Sequence, residues 1–153
     1  MEFWMFETPL GPMGLGEENG ALVRVYLPGQ PIPRLMPHKT PLLERAEGQI
    51  LEYLHGQRQV FDLPLSPAGT PFQRKVWTAL RDIPYGATES YGSIARRVGC
   101  PGGARAVGVA NHNNPLPILI PCHRVVGVKG QLTGYAGGLA LKQALLALEK
   151  NYP

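Results

Sequence analysis

Pro115-Leu116-Pro117-Ile118-Leu119-Ile120-Pro121-Cys122-His123-Arg124 sets a stiff, apolar segment deep in the second half of the chain. Its three prolines fix φ and remove N–H donors, so the run cannot enter a helix interior and should hold one extended path. That path delivers Cys122 directly beside His123 and Arg124. A thiol next to an imidazole and a guanidinium has the residue types of a low-pKa nucleophile. A free cysteine at a strand end is more commonly a small buried apolar group. The polar neighbours argue for chemistry.

Outward from this segment, the 153 residues are enough for one full core or for two small domains. No apolar run approaches the ~18 residues of a membrane span. The opening Met1-Glu2-Phe3-Trp4-Met5-Phe6-Glu7 lacks the basic region and cleavage site of a signal peptide. Cys100 and Cys122 could form one disulfide, but without a secretory signal a reduced pair in the cytoplasm is the expectation. No Cys-x-x-Cys pair is present, which disfavours a cysteine-rich zinc site. Residues 1–69 carry 5 Lys/Arg against 8 Asp/Glu, a net of −3; residues 70–153 carry 10 against 3, a net of +7. A cationic half that also holds Cys122 points to a polyanion partner, most economically nucleic acid.

The division of charge matches a division of pattern. In residues 1–69, Phe3–Phe6 reads as a strand and Thr8-Pro9-Leu10-Gly11-Pro12 as turn material. Asn19-Gly20, between the apolar stretch 13–16 and Ala21–Leu27, is a strong hairpin signal because both residues tolerate positive φ. A proline-rich loop over 28–41 precedes an amphipathic helix from Leu42 to His55, and Val60–Leu65 reads as a further strand. This half is expected to be a small α+β domain without catalytic residues.

Residues 70–153 open with Thr70-Pro71-Phe72-Gln73, a capping box with proline at the first helical position. The helix should run to about Asp82 and bury Phe72, Val76, Trp77 and Leu80. A second helix begins near Ser90 and ends at Gly99; a third follows Cys100-Pro101-Gly102-Gly103 and spans Ala104 to about Asn111. Two short helices joined by a glycine-containing turn suit either a helix-turn-helix or a plain helical hairpin, and the surrounding positive charge favours the former. Val125–Gly130 and Gln131–Thr133 suggest a tight hairpin, Gly134–Gly138 a flexible loop, and Leu139–Lys150 a closing helix with Leu141, Leu145 and Leu148 on one face.

Taken with Asn114 and the segment that follows it, Pro121-Cys122-His123-Arg124 resembles the active-site signature of O6-alkylguanine-DNA alkyltransferases. Thr70-Pro71-Phe72-Gln73, Val76-Trp77, Ile83-Pro84-Tyr85-Gly86, Ser90-Tyr91, Arg105-Ala106-Val107-Gly108 and Tyr135-Ala136-Gly137-Gly138-Leu139-Ala140 resemble the family in the same order. The likeness is dense over 70–149 and sparse before it, where it rests mainly on Thr8–Pro12. It implies an α+β fold: a ribonuclease-H-like N-terminal domain, and a mostly helical C-terminal domain with a winged-helix-like helix-turn-helix.

The resemblance implies direct reversal of O6-alkylguanine, and less readily O4-alkylthymine, in double-stranded DNA, with the alkyl group moved irreversibly onto Cys122. His123 would act as base through a water, oriented by Glu149. Asn114 would hydrogen-bond the site, and Tyr91 would lie at the guanine N3 edge. Tyr135 and the Ala136 backbone N–H would approach O6, and Val125, Pro117 and Lys142 would complete the substrate pocket. On the DNA side, Arg105 would intercalate where the base had been. Tyr91 would press the 3′ phosphate, with Ala106, Gly108 and Arg124 beside them. Binding through the minor groove with base flipping follows, since a buried thiol cannot reach a stacked base. The resemblance further implies a single turnover, a monomer in the cytoplasm, no membrane and no cofactor. Cys100 and His55 lack the partners of the structural zinc site seen in some mammalian members, so no metal is expected. Ala136 replaces the serine of some relatives, although the backbone donor remains.

Three other readings compete. A lesion-recognising relative that transfers nothing would have lost the cysteine, which is present here. A helix-turn-helix regulator sensing electrophiles would need a further domain. A cysteine hydrolase rarely uses adjacent Cys and His at one reacting centre, and it leaves the cationic helices unexplained.

Overall fold

A computed structural model describes all residues, 1–153. They form two compact units, Met1–Pro67 and Ala68–Pro153. The first is built on an antiparallel meander of β1 (Glu2–Thr8), β2 (Gly11–Glu18) and β3 (Ala21–Tyr26), in the order β1-β2-β3. Asn19 and Gly20 sit at φ 51° and 79°, as a primed hairpin turn requires. The register places Phe6 opposite Met13 and Leu15 opposite Val25. Helix α1 (Pro41–Leu54) is capped by Thr40, whose hydroxyl accepts from the Leu43 N–H at 3.1 Å. It packs on the sheet through Leu43, Ala46, Ile50 and Tyr53.

The strand expected at Val60–Leu65 is absent and survives only as a bridge between Leu65 and Leu22. Pro64 supplies a carbonyl to the Leu22 N–H (2.9 Å) but has no N–H to return. The Gln49 side chain occupies both backbone groups of Asp62, at 2.9 and 3.3 Å, so a neighbouring strand has nothing left to pair with there.

The second unit is mostly helical. α2 (Pro71–Leu80) starts with the expected capping box: Thr70 Oγ1 accepts from Gln73 N and Gln73 Oε1 from Thr70 N, at 3.1 and 2.9 Å. Val76, Trp77 and Leu80 are buried, while Phe72 is only half-buried. α3 (Tyr91–Arg97) and α4 (Ala104–His112) are joined by residues 98–103 and pack with α2. The hairpin expected over 125–133 is a different structure. β5 (Val125–Val126) pairs in parallel with β4 (Glu89–Ser90), and residues 127–131 close into a turn. The Val125 carbonyl is taken by Lys142 Nζ at 2.6 Å, so a returning antiparallel strand is not needed to satisfy it.

Helix α5 (Leu139–Asn151) also differs from expectation. Its buried stripe is Lys142, Leu145 and Glu149, whereas Leu141 and Leu148 are half-buried. The helix turns two charges inward, and what they meet there defines the site.

Candidate active site

Cys122 begins a single 3₁₀ turn, Cys122–Arg124, that follows the proline segment. The segment is held from two sides. Asn114 Nδ2 donates to the Ile120 carbonyl at 2.9 Å, and Asn114 Oδ1 accepts from Leu116 N at 2.9 Å. Pro117 bridges Ile120, and the buried Ile118 is driven to φ 75°, a strained conformation for a β-branched residue. Cys122 N–H donates to the Ile120 carbonyl at 2.7 Å. From α4, Asn111 Nδ2 donates to the Cys122 carbonyl at 3.2 Å, and Trp77 Nε1 of α2 donates to the Ala110 carbonyl at 2.8 Å. The cysteine peptide is therefore tied to the helix that carries Arg105.

The thiol is only 2% exposed. Burial pushes its pKa up from 9.0 to about 11, although hydrogen bonds from Asn114 and Tyr135 and the charge of Lys142 act in the thiolate's favour. The low-pKa thiolate suggested by the Cys-His-Arg adjacency is thus not the resting state. The adjacent side chains do not crowd the sulfur with charge; they turn to Glu149. His123, fully buried, meets Glu149 Oε2 through Nε2 at 2.6 Å. A carboxylate only accepts, so the ring proton belongs on Nε2 and the lone pair on Nδ1. Burial lowers the imidazole pKa below its usual value, against the raising influence of Glu149. Gly86 N–H also donates to Glu149 Oε1, at 2.9 Å.

Arg124, expected at the DNA surface, is instead an interior residue. Its Nε lies 3.0 and 3.2 Å from the two Glu149 oxygens, its Nη2 lies 3.0 Å from Oε2, and its Nη1 donates to the Ile83 carbonyl at 2.8 Å. A guanidinium so engaged has no fork left for a phosphate. Lys142 is likewise fully buried, with Nζ on the Val125 and Thr133 carbonyls at 2.6 and 2.9 Å. Val125 and Tyr135 are buried beside this cluster and Ala136 is half-buried.

On the outside, Tyr91, Ala104, Arg105, Gly108, Val109, His112, Thr133 and Gly134 line a cleft of about 590 Å³. Tyr91 Oη and Thr133 Oγ1 are 2.7 Å apart at its wall, and the Thr133 carbonyl is the one held by Lys142. Contacts therefore run from the cleft to the surroundings of Cys122. Arg105 and Ala106 are exposed on α4. Asn111 is a residue of this site that the sequence analysis does not single out. The available signal was its phase, since Val107, Ala110 and Asn111 share the buried stripe of α4.

The second unit thus combines a buried cysteine, a His–carboxylate pair in the same turn, and a cleft lined by a cationic helix pair. Comparison with known proteins agrees. The model of the 6-O-methylguanine DNA methyltransferase DNA-binding domain matches residues 71–151. The methylated-DNA–protein-cysteine methyltransferase of Methanosarcina acetivorans is 44% identical, covering 97% of this chain and 98% of the relative. The constitutive enzyme of that name from Bacillus subtilis is 46% identical, covering 94% and 92%. The crystal structure of Mycobacterium tuberculosis OGT in complex with DNA matches with a TM-score of 0.93 at 42% identity, covering 99% of this chain and 94% of that one. The chain belongs to the methylated-DNA–protein-cysteine methyltransferase family.

Proposed function

We propose that this protein repairs O6-alkylguanine in double-stranded DNA by moving the alkyl group onto Cys122 Sγ, once per molecule. The observation that carries the reading is the buried Cys122 thiol, set at the start of the same 3₁₀ turn as His123, whose ring is paired with Glu149. Attack at a saturated carbon needs an ionised sulfur, yet the resting thiol is protonated at neutral pH. Deprotonation must therefore accompany substrate entry. His123 Nδ1 accepts the thiol proton through a water, and Glu149 stabilises the imidazolium that forms. The S–C bond forms as the C–O6 bond breaks, its electron pair goes to the guanine, and the proton taken from the thiol by His123 is returned to the guanine through water, leaving His123 neutral. Tyr135 and the Ala136 N–H donate toward O6 as charge develops there, and Lys142 holds the pocket wall formed by Val125 and Thr133. The product is a thioether, a poor leaving group, and no second nucleophile is placed to regenerate the thiol.

A thiol 2% exposed cannot reach a stacked base, so the nucleotide rotates out through the cleft. Arg105, exposed at its rim, fills the vacated place, and Tyr91 presses the backbone, with Ala106 and Gly108 letting α4 lie close in the minor groove. The three-stranded meander followed by a helix supports a ribonuclease-H-like first domain. Helices α3 and α4 with the short β4–β5 ladder support a winged-helix-like second one. A monomeric state, a cytoplasmic location and weaker action on O4-alkylthymine follow from the family likeness.

Intact-protein mass spectrometry after incubation with duplex DNA containing O6-methylguanine tests the proposal. One methyl group gained per chain, mapped to the Cys122 peptide, is expected. A protein that binds the lesion without gaining mass, or that turns over repeatedly, overturns it.

A further inference from the structure

The reaction outlined above uses Cys122, His123 and Glu149 but gives no task to the buried cation among them. Arg124 directs three N–H contacts of 3.0–3.2 Å at the two Glu149 oxygens and a fourth of 2.8 Å at the Ile83 carbonyl, and its guanidinium lies 5.7 Å from the centre of the Tyr85 ring. Oε2 of Glu149 is shared: it meets His123 Nε2 at 2.6 Å and Arg124 Nη2 at 3.0 Å.

A buried carboxylate with an imidazole as its only cationic partner would favour an imidazolium, because neither charge can be solvated and each would neutralise the other. An imidazole already carrying that proton cannot take one from a thiol. The charged groups acting on His123 are Arg124 from its own turn and Glu149 and Lys142 from α5; Cys122 precedes it in that turn, and Tyr85 lies beside the Glu149–Arg124 pair. Arg124 cancels the Glu149 charge, and Lys142 leaves the surroundings positive, so the neutral ring is the favoured resting form. Burial acts most strongly in the same direction, and Glu149 alone opposes it.

We propose that Arg124 is a positioning residue of the transfer reaction: it fixes Glu149 as a charged, oriented carboxylate while keeping His123 unprotonated, so that the imidazole can receive the thiol proton at neutral pH. This rests on the reading of Cys122 as acceptor and His123 as its base. It replaces a surface role for Arg124 with an interior one.

The test is the rate of methyl transfer from O6-methylguanine duplex between about pH 5 and pH 9 for the wild type, Arg124→Gln and Arg124→Lys. Removing the charge should move the acid limb of the Arg124→Gln profile upward by about one pH unit, an approximately tenfold loss near pH 6 that closes as pH rises. Arg124→Lys keeps the charge but not the fork, so it should react more slowly with its acid limb left near the wild-type position. A uniform loss at every pH in Arg124→Gln would show a merely structural role and overturn the proposal. Ring-¹⁵N NMR of unreacted wild-type protein gives a readout that needs no variant to fold. His123 should titrate below the ordinary histidine value, and a midpoint above it also overturns the proposal. Failure of the wild type to gain a methyl group would refute the repair reading instead, and the NMR midpoints of wild type and Arg124→Gln would still report the charge effect.

Discussion

At the scale of single residues, Cys122 pays for its protection with acidity, because burial that excludes bulk water also holds the proton on sulfur. Cys122→Ala should abolish methyl transfer while leaving DNA affinity within about twofold, since surface contacts are untouched; gel-shift and mass measurements on the same sample decide it. Glu149→Gln removes the carboxylate that both orients His123 and stabilises its cation. Transfer at neutral pH should fall on the order of a hundredfold, and an unchanged single-turnover rate would remove Glu149 from the relay. The thiol also predicts a stability effect. Its folded pKa of about 11 lies above the unfolded 9.0, so the native state holds the proton longer. Its contribution is intact below pH 9 and is lost as pH rises toward 11, by about 2 kcal/mol. Cys122→Ala should therefore lose less stability than wild type in urea titrations across that window.

At the scale of elements, α4 and α5 do opposite things with similar amphipathic patterns. α4 exposes Arg105 at the cleft and sends Asn111 inward to the Cys122 carbonyl. α5 hides Lys142 and Glu149 and leaves leucines half-exposed. A helix can bury two charges only where each finds partners, and here carbonyls receive Lys142 while His123, Arg124 and Gly86 surround Glu149. Arg105→Ala should slow repair of duplex DNA by roughly tenfold, because the inserted side chain offsets part of the unstacking free energy. Reaction with free O6-benzylguanine, which needs no flipping, should be spared, and equal losses would count against insertion. Further from the site, Thr70→Ala breaks the capping box of α2 and should cost about 1 kcal/mol in chemical denaturation.

For the whole molecule, charge is the property with consequences beyond any single contact. The excess of +7 over residues 70–153 against −3 over 1–69 confines the positive charge to the half that carries the cleft. Affinity for duplex DNA should drop more than tenfold between about 50 and 200 mM salt as released counterions lose their entropic advantage. A salt-independent affinity in fluorescence anisotropy would contradict a phosphate-based surface. No helix is long and apolar enough to cross a membrane.

The sequence alone determined the elements whose signals are local. The Asn19-Gly20 turn, the Thr70–Gln73 capping box, the breaks at Gly99 and Gly102 and the stiff approach to Cys122 all follow from φ restrictions and from which N–H groups exist. The motif order that marked the family is local in the same sense. Tertiary structure decided matters that depend on partners distant along the chain. Val60–Leu65 reads as a strand until Gln49 takes the Asp62 backbone. Arg124 reads as a surface cation until Glu149, 25 positions away, receives it. The thiol reads as acidic from its neighbours and becomes a weak acid through burial. Periodicity counts apolar residues, so it turned α5 toward its leucines; only the arrangement of buried donors and acceptors shows why Lys142 and Glu149 face inward.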